Sequence, residues 1–330
     1  MKNYADVIGI DVSKLTIDAH IHKKGVHRLF SNNTKGFKDL LSWSKKYLGL
    51  VSFFYCFENT GNYSINLSIY FADRAIDYVE ENPLLIKRSA GIVRGKTDKL
   101  DSAMIARYAW LHREELSLSS AKDYEYLELG RLLAFRDQLV RNRTGLMSSL
   151  KELKNLLNSP STDVCCKSLH RSIAYITKQI LMLENRMKAI IKSKKSLDTN
   201  FTLLNTIRGV GLILSCQLIY HTSNFKRFNS WRQFSSYCGT APFAFSSGTS
   251  IKRANKCNHV GDRKMKTLLS LASVSAIQHD SELKLYYKKK IAEGKPKLVA
   301  LNNVRNKILA RAFAVIKRGT PYVELQQYAA

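Results

Sequence analysis

The sequence predicts an α/β N-terminal domain over residues 1–118. A helical coiled-coil hairpin over 119–198 and a mainly α, basic domain over 199–330 follow. Three observations carry this prediction. Hydrophobic periodicity alternates between two and 3.6 residues through the first hundred positions. Leucines recur every seven residues from the 130s onward. The formal charge of +27 is concentrated late in the chain, with net charges of about +4, +7 and +16 over residues 1–120, 121–200 and 201–330.

Taken in order, "DVIGIDVS", "LTIDAHIHKK" and "VHRLFS" read as three strands of a meander, the last two joined at Gly25. "TKGFKDLLSWSKKYL" follows as an amphipathic helix, with Thr34 as the expected N-cap. "VSFFYCFENTG" is a buried strand ending in polar residues, "YSINLSIYFADR" a helix and "AIDYVEEN" a fifth strand. Helices are then expected over 83–93 and 98–113. Three antiparallel strands, a helix, then alternating strand and helix is the order of an RNase H-like α/β domain. Actin-like ATPases share that core, so topology alone leaves function open.

Farther along, Leu132, Leu139, Leu146 and Leu153 are spaced by seven, interleaved with Leu129, Leu150 and Leu157. Arg136 and Arg143 interrupt the seam. After the break "NSPSTDVCC", Ile173, Ile176, Ile180, Leu183, Met187 and Ile190 repeat the spacing. The pattern predicts a hairpin with coiled-coil character, serving either as internal core or as a dimer seam. Beyond 201 the chain reads as helical, except for the Ser-, Gly- and Asn-rich stretch 237–264. Gly209 and Gly211 mark a tight turn between two helices.

No apolar run approaches the ~18 residues of a membrane span. The first residues enter a strand pattern with no signal-peptide core, so a cytoplasmic protein is expected. Six cysteines form no C-x-x-C pair and no zinc spacing, which suits reduced thiols rather than structural zinc. The basic C-terminal region predicts a polyanionic partner, nucleic acid before membrane.

Within this basic chain, "KTDKLDSAMIARYA" places Asp98 and Asp101 on one face of a helix, where they repel unless a cation lies between them. Asp11 lies in the first strand and Glu58 closes the fourth, completing four carboxylates on elements that an RNase H-like fold brings together. Each acid has a bland reading, a solvated helix face, a strand-end turn or a helix cap. Clustered, they suit two Mg²⁺ ions, with Mn²⁺ as a substitute.

At this point "GIDVSK", "ENTGNY" and "KTDKLDS" resemble the motifs of the DEDD transposases of insertion-sequence family one-ten, which includes Piv-type DNA invertases and bridge-RNA-guided recombinases. "TIRGVG", "GTAPFAFSSG" and "NHVGDRKMKTLL" resemble that family's C-terminal motifs in the same order. Arg208 stands where the family usually has Pro, and Asp262 where it commonly has Asn. The resemblance implies a RuvC-like domain whose Asp11, Glu58, Asp98 and Asp101 hold the metal ions. It further implies that Ser247, the serine just before the glycine, is a nucleophile becoming covalently linked to DNA, in cis or from another protomer. Donor and target DNA, a non-coding bridge RNA and a homodimer, tetrameric in synapsis, are the partners it implies.

Candidate phosphate contacts are Arg253, Lys256, Arg263 and Lys264 around the serine, and the Gly209–Gly211 turn, which resembles a helix-hairpin-helix. Three other readings remain: a RuvC-like nuclease not using the serine, an actin-like ATPase, and an architectural nucleic-acid binder. The ATPase would need a second D-x-G loop and a Gly-Gly adenosine site, and neither is found. The architectural reading leaves the four acids unexplained.

Overall fold

The computed structural model describes residues 4–59, 63–89, 91, 97–119, 124–157, 161, 163–247, 251–257 and 260–323, with backbone alone at 244–247 and 251–256. The chain divides into two compact units, Met1–Asp123 and Tyr124–Ala330.

The first unit runs β1 (Asp6–Val12), β2 (Thr16–Ile21), β3 (Val26–Ser31), α1 (Thr34–Leu48), β4 (Phe53–Glu58), α2 (Ile65–Ala72), β5 (Tyr78–Glu81), α3 (Pro83–Ser89) and α4 (Asp98–Leu111). Its five strands lie in the order β3-β2-β1-β4-β5. The β1–β2 and β2–β3 pairs are antiparallel, whereas β4 is parallel to both β1 and β5. Both faces of β1 are covered, which explains its unbroken apolar run. Ile8, Ile10 and Val12 join Phe37, Trp43, Phe57 and Phe71 in one core. Val7, with Phe54, Cys56 and Val79, packs with Ile105 and Ala109 of α4 on the other. The helix α1 begins one residue earlier than expected. Asn33, extended at φ −152°, is its cap and accepts a 3.0 Å hydrogen bond from the Gly36 N–H, leaving Thr34 as the first helical residue.

The second unit comprises α5 (Tyr124–Leu156), α6 (Val164–Ser193), α7 (Lys195–Asn205), α8 (Leu212–His221), α9 (Trp231–Tyr237), β6 (Pro242–Ser247), β7 (Ile251–Cys257), α10 (Arg263–His279), α11 (Ser281–Ala292) and α12 (Lys297–Arg318). The pairings Glu128–Arg186 and Arg136–Glu184, both 2.7 Å, make α5 and α6 antiparallel. Arg136 therefore meets an acid across the seam it interrupts. Leu129, Leu133, Leu183, Met187 and Ile191 enter the same core as Leu204, Leu218, Leu269 and Ile308. The base of the helix pair is thus continuous with the helical body. Residues 242–247 and 251–257, expected within a loop-rich stretch, pair as two antiparallel strands with a bulge between Phe243 and Phe245. Among the described residues, no helix is long and apolar enough to cross a membrane.

Arg311 joins α12 to the start of α11. Its guanidinium, only 9% exposed, lies 2.6 Å from Asp280 and 2.6 Å from Glu282. Asp280 also caps α11, accepting from the Leu283 N–H at 2.8 Å. Removing the cation strands a buried carboxylate, so Arg311→Ala is expected to cost about 3–5 kcal/mol, read by urea unfolding.

Candidate active site

Side chains at alternate positions of a strand share a face, so Asp11 shares one with Val7 and Gly9, the face that α4 covers. Gly9 decides how closely. A Cβ built there would lie 2.2 Å from the Ala106 nitrogen and 2.4 Å from the Ser102 carbonyl. Only glycine permits this approach. One strand step along, Asp11 meets the next turn of the helix, because Asp98 precedes Ser102 by four residues.

The result is an acidic cluster. Carboxylate oxygens of Asp11, Asp98 and Asp101 all lie within 4.8 Å of one another. Glu58 occupies the end of β4, one residue beyond the Ile10–Phe57 pairing, on the same face as Phe54 and Cys56. Burial, reinforced by Asp101, Asp98, Glu58 and Asp18, raises Asp11 to about 6. Thr97 caps α4, its hydroxyl accepting from the Leu100 N–H at 3.3 Å. Asp98 and Asp101 thus lie in the first turn, where the helix dipole favours negative charge. This donor set, all carboxylate oxygen, fits a hard divalent cation.

Two further acids, which no local sequence pattern singles out, extend the row across the sheet. Asp18 faces Asp11 in the β1–β2 register, and Glu81 faces Glu58 in the β4–β5 register. Both have partners. His27 Nε2 lies 2.7 Å from Asp18, and Glu81 accepts from the Tyr108 hydroxyl at 3.3 Å. Their signal is register, visible only once the strands are paired.

In the second unit, Ser247 ends β6 with its backbone paired to Ile251. Arg253 and Lys256 lie on β7. The side chains of Ser247, Arg253 and Lys256 are outside the described set. Arg263, exposed, opens α10. Lys264 forms an ion pair with Asp137 of α5. Asp262 is the N-cap of α10, accepting from the Met265 N–H at 2.9 Å, a role that Asn fills equally well. Behind it, the Tyr237 hydroxyl lies 3.0 Å from His221 Nδ1. Burial pushes His221 down to about 4, so it is neutral near pH 7.

Gly209 has φ +86°, and a Cβ there would lie 2.4 Å from the Ala272 carbonyl of α10. It is therefore required for helix packing. Gly211 precedes α8 as its N-cap, with open space where a Cβ would be.

Residues 8–159 match a family model of the IS110 DEDD type described as "Transposase", and residues 201–288 match one described as "Transposase IS116/IS110/IS902 family". Together these cover most of the chain, which belongs to the IS110 family of transposases, enzymes that cleave and transfer DNA strands. Membership in the DEDD class implies use of a divalent metal. Among the relatives, the pilin gene-inverting proteins of Moraxella bovis and Moraxella lacunata are each 27% identical, over 96% of this chain and 97% of theirs. An uncharacterized IS110 insertion-element protein of Streptomyces coelicolor is 26% identical, over 48% of this chain and 38% of its own.

Two substitutions on β1 should move stability in opposite directions in EDTA. Gly9→Ala forces α4 off the strand and is expected to cost about 1–3 kcal/mol. Asp11→Asn removes a partly buried charge and its repulsion by neighbouring acids and should gain about 1–2 kcal/mol at pH 7, a figure discounted for partial exposure. Without metal, wild-type stability should fall between about pH 4 and 6, where the native state keeps a proton that the unfolded chain has lost. The Asn variant should lack that component in pH-resolved melting.

Proposed function

We propose that this chain is a site-specific DNA recombinase of transposase or invertase type, built on a RuvC-like domain and using a serine nucleophile. The observation carrying the reading is the convergence of Asp11, Asp98 and Asp101 within 4.8 Å. The β3-β2-β1-β4-β5 order, with Glu58 at the end of the strand beside Asp11, supports the RNase H-like assignment. In this reading Asp11, Glu58, Asp98 and Asp101 hold two Mg²⁺ ions. When bound, such ions would supply positive charge to the oxygens of a phosphodiester.

Ser247 Oγ then attacks phosphorus. An O–P bond forms to serine, a P–O bond to deoxyribose breaks, and the serine proton leaves as the released sugar oxygen is protonated. Attack by a sugar hydroxyl of another strand reverses these changes and restores the serine. Phosphodiester energy is conserved throughout, so strand exchange needs no nucleotide hydrolysis. The end of a short hairpin strand is a position from which a serine can reach a DNA backbone. Arg253, Lys256 and Arg263 are assigned to phosphates nearby, and Gly211 presents the N–H groups opening α8. Because Lys264 already has Asp137, its contact would require that ion pair to open. A homodimer, assembling as a tetramer in synapsis, and guidance by a bridge RNA complete the proposal. The family membership and the basic second unit support them.

Junction PCR in cells carrying the native locus provides the test. Wild type should yield recombined junctions, with Ser247→Ala and Asp98→Asn each reducing them at least ~100-fold. Junctions persisting in Ser247→Ala but not in Asp98→Asn would instead favour a metal-dependent nuclease that bypasses the serine. Sequencing RNA co-purified with the protein and its native flanks should recover one element-encoded species. Random cellular RNA would remove the guide.

A further inference from the structure

The strand carrying Ser247 also borders a cavity of about 580 Å³ between α9 and α12. Trp231, Phe243 and Tyr286 supply aromatic surface, while Arg232, Lys307 and Asn303 supply polar groups. No carboxylate lines it among the described residues. The Arg232 guanidinium lies 4.9 Å from the Trp231 ring centre, and the Lys307 ammonium 5.1 Å from that of Tyr286. Phe243 is 46% exposed, leaving ring surface open to the cavity it lines. Across Trp231, a second cavity of about 530 Å³ continues along the same helix to Lys226 and Lys317. From Asn303 to Lys317 the groove follows one face of α12 for about 21 Å.

Aromatic faces alternating with cations, with no carboxylate between them among the described residues, match the chemistry of unpaired nucleotides, whose bases stack while their phosphates seek charge. A duplex offers no free base faces. Phe243 precedes Ser247 by four strand residues, about 13 Å. A base against Phe243 therefore belongs to a nucleotide near any phosphate engaged by that serine. We propose that the groove along α12 binds an unpaired segment of the DNA strand being cut, stacking bases on Trp231 and Phe243. The choice of DNA over other polyanions rests on the serine reading above.

Fluorescence anisotropy with a labelled 12-mer of deoxythymidine tests this, using full-length Ser247→Ala protein so that binding is read without cleavage. Phe243→Ala and Trp231→Ala should each weaken binding about 5- to 50-fold. Lys307→Ala should flatten the log–log salt slope by about 0.7. Phe243 and Lys307 are exposed, so those variants should keep the wild-type melting temperature and hold the test independent of folding. Unchanged binding in both would overturn the proposal. Weakening confined to an oligo-uridine probe would also do so, assigning the groove to RNA, and equal weakening for a blunt duplex would reduce it to generic charge. The serine reading fails separately, if wild-type protein forms no covalent DNA adduct while the groove variants still lose the deoxythymidine probe.

Discussion

The backbone contact between β1 and α4 sets the geometry on which the acidic cluster depends. At Gly9 the helix lies closer than any side chain would allow, with the Ser102 carbonyl and Ala106 nitrogen occupying the space of a Cβ. That approach brings Asp98 and Asp101 within 4.8 Å of Asp11. Acids gathered from three elements, β1, β4 and α4, repel, and their proximity has to be imposed by packing elsewhere. Val7, Phe54, Cys56, Ile105 and Ala109 supply that packing on the same face of the sheet. The cost appears in Asp11, whose carboxyl is raised by burial and its neighbours.

The second unit stabilises its own geometry by satisfying polar groups within helix contacts. Arg136 and Glu184 neutralise one another inside the α5–α6 seam, and Arg311 spans two acids at the start of α11. Asp262 performs two tasks, capping α10 and donating its backbone N–H to the Tyr237 carbonyl at 2.9 Å. Tyr237 and Asp262 flank the β6–β7 hairpin in sequence, and this hydrogen bond ties the two flanks together. Gly209 does for α10 what Gly9 does for α4, admitting a backbone at a distance that excludes side chains.

Much of the first unit is legible in the sequence because strand alternation and helix periodicity are local. Asp11, Asp98 and Asp101 can be placed on their elements from those patterns, and grouping them takes the further step of assigning an RNase H-like strand order. Gly9 cannot be singled out that way, because a glycine in a strand looks like a weak position until the covering helix is known. Asp18 and Glu81 are hidden for a related reason: cross-strand register is a long-range property. The β6–β7 hairpin reads as loop because serine, glycine and asparagine outnumber β-branched residues there. Its pairing comes from backbone hydrogen bonds rather than propensity. Thr34 loses the cap position to Asn33 by one residue, a distinction that only the Gly36 hydrogen bond reveals.

The contact at Gly9 also bears on how such a chain can drift over generations. Asp98, Ser102 and Ala106 are successive turns of one helix, so a single inserted residue between them would swing the acid pair about 100° away from β1. Substitutions on the outward face of α4 carry no such penalty. Lineages sharing this device can therefore exchange most of their letters while retaining the count of residues between the fixed points.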